Sequence, residues 1–169
     1  MPNYKLSEYQ VKKLWSKFNN DSFNADYINL NKLNLNNIIG NNLVVKVDDG
    51  SKRRMKRGLV KLNQTKKEII DWIKERNDTK NYFVEEMTEV LDEYYIMIRP
   101  EDDYDVLYLN KTGGINQLNP LDNAIQYKVH INDKPKFNES ELNLILRNLF
   151  NFYRHYHITF LEVNPLAKT

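Results

Sequence analysis

Residues 42–60 read NLVVKVDDGSKRRMKRGLV, and this stretch decides the fold because two apolar runs enclose a polar, basic segment. Residues 43–47 and 59–62 are rich in valine and leucine, and such runs are typical of β-strands. Residues 48–57 carry turn-forming and cationic side chains and predict a loop. The stretch therefore predicts a hairpin whose two strands are joined by a long basic loop.

Helices are predicted on both sides of this hairpin. Ser7 with Gln10, and Thr65 with Glu68, have the spacing of capping boxes, in which each side chain satisfies a free backbone N–H of the first helical turn. Apolar residues recur at helical intervals after each box, and the second helix is predicted to end near Asn77. The first half of the chain is thus predicted to run helix, strand, strand, helix.

The second half is predicted to be rich in strands, with one long helix near its end. Asn138 and Glu141 are predicted to cap that helix, whose apolar positions recur at three- and four-residue steps. A last β-rich run, ITFLEVN, is predicted to stop at Pro165, since proline cannot extend a central strand. The other predicted strands are residues 82–87, 94–98, 106–109 and 126–131.

Composition limits the class of protein. The 169 residues suit one compact α/β domain of two subdomains, with a boundary placed near residues 85–90. The absence of cysteine excludes a disulfide framework and a cysteine nucleophile, so we expect a cytoplasmic protein. No apolar run is long enough to span a bilayer, and we expect no membrane partner. A net charge of +2 makes the whole molecule a poor electrostatic partner for a polyanion.

The basic loop carries the clearest candidate binding residues: Lys46, Lys52, Arg53, Arg54 and Lys56. A lysine at a strand end offers one phosphate a point charge, and an arginine offers a planar fork that matches phosphate oxygens. The group is therefore a candidate triphosphate site. The same residues also fit a solvated charged loop, or a nuclear-import or RNA-contacting cluster, and residue chemistry alone leaves these alternatives open.

Other candidate residues lie in the second half. The carboxylate of Glu93 can accept a hydrogen bond from a ribose hydroxyl, or it can be a surface charge. Gly113 and Gly114 allow the backbone to approach a ligand closely, or simply turn the chain. Glu162 and Asn164 lie two apart on a predicted strand, so both face the same side and can present oxygens to Mg²⁺.

Four stretches together resemble a known family. The segment NLVVKVDDGSKRRMKRGLV resembles its NLVVKPD, KRRGK and GLV run, and YFVEEM followed by DEYYIMI resembles FLIEPF and EEFYV. TGG resembles EGG, and NLFNFYRHYHITFLEVNPL resembles GLFNFY and YLEINPL. Over nearly its whole length the chain resembles the N-terminal ATP-grasp part of the ATP-citrate lyase family, which is related to the β subunit of succinyl-CoA synthetase.

The resemblance implies an α/β ATP-grasp fold with a nucleotide site between two subdomains, and ATP and Mg²⁺ as cofactors. It implies that Lys46 contacts the phosphates and that Arg54 and the backbone of Met55 border the nucleotide. The remaining implied roles are a hinge strand beside the adenine (Glu86, Met87 and Thr88), a ribose contact (Glu93) and one Mg²⁺ ligand (Asn164).

Four positions depart from the family pattern. Met55 stands where the family loop has glycine, and its side chain is expected to restrict how closely the loop folds over phosphates. Val47 and Glu86 stand where the family has proline, and Thr112 stands where it has glutamate. These changes predict weaker nucleotide binding on an unchanged fold.

In the family, the NPL motif is followed by a strand whose aspartate completes the Mg²⁺ site, whereas this sequence ends at Thr169. The expectation is a truncated ATP-grasp domain that lacks the C-terminal hairpin strand. The resemblance implies an ATP-binding part that supports phosphoryl transfer from ATP in acetyl-CoA metabolism. There, citrate and CoA become acetyl-CoA and oxaloacetate with the help of other domains or subunits. The alternative is a non-catalytic relic that binds nucleotide or another subunit; nucleic-acid binding is the least favoured interpretation.

Overall fold

The computed structural model describes residues 4–51, 53–113 and 119–169. Of the residues singled out in the sequence, Lys52 and Gly114 lie outside these ranges. The chain divides into two compact units, Met1–Thr88 and Glu89–Thr169. That these units serve as the two subdomains of one nucleotide-binding domain stays a prediction. None of the helices in the described ranges is both long enough and apolar enough to cross a membrane.

The first unit is a four-stranded antiparallel sheet with two α-helices, in the strand order β1-β4-β2-β3. Its short first strand was not predicted. Its elements are α1 (Glu8–Asn19), β1 (Ala25–Asn29), β2 (Leu43–Val47), a 3-10 turn (Met55–Arg57), β3 (Val60–Gln64), α2 (Lys66–Arg76) and β4 (Asn81–Glu86).

The second unit is also a four-stranded antiparallel sheet, in the order β7-β6-β5-β8, with one long helix. Its elements are β5 (Asp92–Glu101), β6 (Tyr104–Asn110), β7 (Ile125–His130), α3 (Asn143–His155) and β8 (Leu161–Lys168). The prediction of a mixed α/β chain is confirmed, with both sheets antiparallel.

The side chains of strand β2 alternate between the two faces of the first sheet. Val45 and Val47 are fully buried and pack in one cluster with Ile69 and Ile73 of α2. Because side chains alternate along a strand, Lys46 lies on the opposite face. The order of residues in β2 thus packs one face of the sheet against α2 and places Lys46 on the other face.

The two predicted capping boxes are confirmed, at Ser7 with Gln10 and at Thr65 with Glu68. The predicted start of the third helix is wrong, because α3 begins at Asn143 and its N-cap position is Leu142. Residues 140–142 form a turn instead, and the Asn143 side chain donates to the carbonyl of the buried Phe137. That bond holds the preceding segment in a non-helical path.

The predicted stop at Pro165 is also wrong, since β8 continues to Lys168. The pairing with β5 shifts between Tyr94 and Ile96, so the two residues Asn164 and Pro165 lie opposite Tyr95 as a bulge. Strand β8 is one of the two edge strands of the described sheet. A bulged edge strand accommodates a residue without an N–H donor, which a central strand does not.

A buried carboxylate fixes the start of helix α1. Asp48 follows β2 directly and is only 6% exposed. Its two carboxylate oxygens accept the backbone N–H groups of Glu8, at 3.0 Å, and Tyr9, at 3.3 Å. Since Ser7 accepts the N–H of Gln10, the free donors of the first helical turn are satisfied largely by side chains. Asp48 therefore ties α1 to the end of β2.

We expect Asp48→Ala to lower the free energy of unfolding by about 1–3 kcal/mol, because two partly buried N–H donors lose their acceptor. Urea denaturation followed by circular dichroism measures the change. Asp21→Ala, which removes an exposed carboxylate from the same unit, is the matched control and should change stability by less than about 0.5 kcal/mol. Equal effects of the two substitutions would contradict this role of Asp48.

Candidate functional site

Two carboxylates hold Lys46 on the face of β2 that is turned away from the apolar core. Its Nζ lies 2.8 Å from Oε1 of Glu8 and 2.7 Å from Oε1 of Glu85. Glu85 comes from β4, where it pairs with Val44, so it and Lys46 lie on the same face of the sheet. Helix α1 supplies Glu8 and β4 supplies Glu85, and the ammonium group is fixed between them.

Two further cations join these groups. Nζ of Lys12, one turn after Glu8 in α1, lies 2.7 Å from Oε2 of Glu85 and 3.4 Å from Oε1 of Glu8. Arg54 forms an ion pair with the other carboxylate oxygen of Glu8, and its Nη1 donates to the carbonyl of Val47 at 3.1 Å. These five charged residues, Glu8, Lys12, Lys46, Arg54 and Glu85, are called the Lys46 cluster below.

An aromatic floor lies beneath the ammonium groups of the cluster. The ring centre of Phe83 is 5.2 Å from Nζ of Lys12 and 5.6 Å from Nζ of Lys46, and Phe83 is fully buried. The Tyr9 ring meets the Phe83 ring edge-on, with centroids 5.9 Å apart. Cations over aromatic faces gain electrostatic energy, and the apolar floor strengthens the charge interactions above it.

The electrostatics of the cluster follow from this partial burial. Burial alone raises the pKa of Glu8, but Lys46, Lys12 and Arg54 outweigh it and lower that pKa from 4.5 to about 2. Burial alone lowers the pKa of Lys46, but Glu8 and Glu85 outweigh it and raise that pKa above its usual value. The cluster contains three cationic side chains and two carboxylates, so its formal net charge is +1.

Of the basic loop residues predicted to form a triphosphate site, only some lie in the Lys46 cluster. Arg54 turns inward to Glu8, whereas Arg53 and Lys56 are exposed. Met55 opens the 3-10 turn and is 36% exposed. A 3-10 turn has right-handed backbone angles that any residue adopts, so a methionine at this position requires no left-handed conformation.

At the predicted hinge, several polar groups are already engaged within the chain. Glu86, the last residue of β4, accepts the N–H of Gly40 at 3.0 Å through its carboxylate. The N–H of Met87 donates to the carbonyl of Asn42 at 2.9 Å. If the backbone of Met87 binds a ligand, it therefore does so through its carbonyl group. Thr88 is the next residue in the chain.

In the second unit, Gly113 packs against its own chain. Its N–H donates to the carbonyl of Glu93 at 2.8 Å, and a Cβ built on it would lie 2.7 Å from the carbonyl oxygen of Tyr94. Glycine is therefore required here by the close approach of the backbone of β5. The carboxylate of Glu93 is half-buried on β5.

The predicted oxygen donors Glu162 and Asn164 both lie on β8. Glu162 interacts with the hydroxyl of Tyr95: burial, and then the charge of Glu162, raises the pKa of Tyr95 to about 12. Asn164 lies in the bulge opposite Tyr95. Across the described ranges, no three histidine, aspartate or glutamate side chains converge as a ready-made metal site.

Three members of the Lys46 cluster, Glu8, Lys12 and Glu85, were not identified from the sequence. The available signals were weak: Glu8 is an acidic residue in a first helical turn, and Glu85 shares a strand face with an aromatic residue. Neither signal links residues that are 38 to 73 positions apart in the chain. The contact arises from the antiparallel pairing of β2 with β4 and from the anchoring of α1.

We expect the stability of the protein to fall as the pH drops from about 4.5 toward 2. The folded-state pKa of Glu8 is depressed, so its contribution is present above the unfolded pKa of 4.5 and is lost as the carboxylate is protonated. In Glu8→Gln this part of the pH dependence should disappear, and the free energy of unfolding at pH 7 should be lower by about 1–3 kcal/mol.

Urea titrations between pH 2.5 and 7 measure both effects. Glu75→Gln, which changes an exposed glutamate on α2, is the matched control and should keep the wild-type slope. A Glu8→Gln profile parallel to that of the wild type would contradict the ionic role of Glu8.

Comparison with known proteins gives related chains and a common fold, although no family model matches. The ATP-citrate synthases of Homo sapiens and Bos taurus are each 29% identical to this chain over 75% of its length. The chain spans only 14% of those curated relatives.

Solved structures share its architecture. ATP citrate lyase from Methanothrix soehngenii, in complex with citrate and coenzyme A, matches 97% of this chain and 47% of its own, with a TM-score of 0.76 and 18% identity. D-alanine-D-alanine ligase from Helicobacter pylori matches 94% of this chain and 52% of its own, with a TM-score of 0.54 and 14% identity.

Proposed function

The chain is an ATP-citrate lyase-related domain with an ATP-grasp fold, and on this basis we propose that it binds ATP with Mg²⁺ as the nucleotide-binding part of an ATP-dependent enzyme. The observation that carries the proposal is the convergence of Lys12, Lys46 and Arg54 in the Lys46 cluster. A net positive, partly buried group of fixed cations is suited to the phosphates of a nucleotide.

The hydrogen-bond inventory leaves donors for a phosphate. Lysine has three N–H donors, and two on Lys46 are directed at Glu8 and Glu85, so one remains without a partner among the described residues. Arginine has five N–H donors, and the bonds that the described residues show for Arg54 use one donor on each terminal nitrogen, for Glu8 and for the carbonyl of Val47. The two carboxylates thus orient the cations without exhausting them, and fixed donors are more effective than mobile ones in stabilising transferred phosphate charge.

The remaining residue roles in the proposal follow from the family resemblance. Glu86, Met87 and Thr88 lie beside the adenine, with the carbonyl of Met87 available for it. The carboxylate of Glu93 accepts a hydrogen bond from a ribose hydroxyl. Asn164 is one Mg²⁺ ligand, and its amide oxygen, with the carboxylate of the nearby Glu162, is the hard oxygen type that Mg²⁺ prefers.

The reaction assigned by the proposal is the ATP-dependent step of a citrate lyase. ATP would supply the phosphoryl group, and domains or subunits other than this chain would bind citrate and CoA and form acetyl-CoA and oxaloacetate. This chain contributes cations that hold and neutralise phosphate charge, and no residue on it is assigned as a nucleophile.

Two observations favour a second candidate, a non-catalytic nucleotide-binding or subunit-interaction module. Lys46 and Arg54 both have carboxylate partners already, and Thr112 stands where the family has glutamate. The nucleotide-binding form of this module shares ATP binding with the first candidate. Phosphoryl transfer from γ-labelled ATP to an ATP-citrate lyase that lacks its own ATP-grasp part separates the catalytic candidate from the non-catalytic one.

We expect Lys46→Met and Arg54→Gln each to weaken ATP–Mg²⁺ binding by about tenfold or more, because a charge-assisted hydrogen bond contributes about 1.5–3 kcal/mol. Isothermal titration calorimetry measures the affinity. Lys61→Met on β3 and Arg57→Gln in the same loop are exposed, matched controls and should leave it within about twofold of the wild type.

Circular dichroism must show that each variant is folded before its affinity is interpreted. Absence of heat with the wild-type chain at millimolar ATP would overturn the proposed function. Binding that is unchanged in both cluster variants would overturn the assignment of the phosphates to the Lys46 cluster.

A further inference from the structure

We propose that the second unit contains a separate binding site for a small phosphate-bearing anion, in a basic cavity beside the start of helix α3. The cavity has a volume of about 250 Å³. Three of its six lining residues are cations, and none is acidic. The lining consists of Lys134, Pro135, Lys136, Phe137, Asn143 and Arg147.

The two lysines are presented by a short segment whose alternate residues are anchored. Pro135 and Phe137 are buried, while Lys134 and Lys136 are exposed. The ring of Phe137 packs edge-on against Tyr127, with centroids 5.1 Å apart, and also against Phe150 of α3. The backbone beneath the lysines is therefore held by the core of the second unit, which limits where their side chains can reach.

Helix α3 supplies the opposite wall. Asn143 is its first residue, and Arg147 lies four residues later on the same side of the helix. The side-chain N–H of Asn143 donates to the carbonyl of Phe137, so the helix and the lysine segment are joined at the cavity itself. The guanidinium of Arg147 thus belongs to a wall whose position is fixed relative to Lys134 and Lys136.

The charge of the cavity is not compensated among the described residues. No ion pair is found there for Lys134, Lys136 or Arg147, in contrast to the other arginine of α3, Arg154, which pairs with Asp105 at 2.8 Å. The two carboxylates of the adjoining turn are used elsewhere. Glu139 pairs with Lys111 at 2.9 Å, and Glu141 pairs with Lys168 at 3.0 Å.

Three like charges around one cavity repel each other, and an anion that enters it removes that repulsion. A volume of about 250 Å³ is below the 300–1,000 Å³ or so that is typical of drug-sized ligands, so the occupant is a small group. A planar arginine fork and two lysine point charges match a tetrahedral, multiply charged phosphate better than a singly charged carboxylate. The chemistry therefore indicates inorganic phosphate, pyrophosphate or a small phosphate ester.

This site shares no residue with the Lys46 cluster or with the other residues in the proposed function. It does not depend on whether the chain binds ATP, and inorganic phosphate is used as the probe so that its test does not depend on ATP binding either.

The full ¹⁵N-labelled chain is titrated with inorganic phosphate and, separately, with pyrophosphate, and binding is followed by NMR. Chloride is used to keep the ionic strength constant. We expect saturable shifts of the amide signals of Lys136, Asn143 and Arg147. In Arg147→Gln, and in Lys134→Gln combined with Lys136→Gln, the affinity should fall by about tenfold or more. Lys128→Gln, an exposed lysine on β7, is the matched control and should bind as the wild type does.

Three results would overturn the proposal. The first is the absence of saturable shifts at these residues. The second is binding that is unaffected by both cavity variants, and the third is tighter binding of citrate than of pyrophosphate, which would assign the cavity to carboxylates. The substituted side chains are all exposed, and the dispersion of the NMR spectrum reports the folding of each variant in the same experiment.

Discussion

The hydrogen bonds from the backbone of Glu8 and Tyr9 to the carboxylate of Asp48 determine where helix α1 lies on the first sheet. Because Asp48 directly follows β2, the start of the helix is fixed only two residues from Lys46. Glu8 and Lys12 then project onto the ammonium group and onto Glu85. The geometry of the charged cluster thus depends on a helix cap. If the hydrogen bonds to Asp48 are lost, the positions of Glu8 and Lys12 are no longer fixed.

A partly buried group of five charges carries a desolvation cost, and its members tolerate burial only because each one is paired. The opposed shifts of the pKa of Glu8 and of Lys46 have the same origin, the attraction within the pair that outweighs burial. Removal of one partner leaves the other charge uncompensated. The carboxylates consequently keep the cations ionised and in place, while the excess of one cation keeps the face attractive to anions.

The residue pattern predicted several local features, whereas contacts between side chains distant in the chain were not predicted. The capping boxes at Ser7 and Thr65 and the strand at residues 43–47 depend on neighbours within four residues, and all three are confirmed. The start of α3 was misplaced because the Asn143 side chain bonds to Phe137, a contact that capping patterns do not encode. Lys46 and Arg54 were identified by their charge, whereas Glu8 and Glu85 required the pairing of β2 with β4.

Strand β2 places its odd-numbered residues in the core with α2 and its even-numbered residues on the face of α1. The five consecutive residues of β2 therefore contact two independent sets of neighbours. In homologous sequences, Val45 and Val47 should vary together with Ile69 and Ile73. Lys46 should vary together with Glu8 and Glu85, and the two patterns of covariation should interleave residue by residue along a single strand.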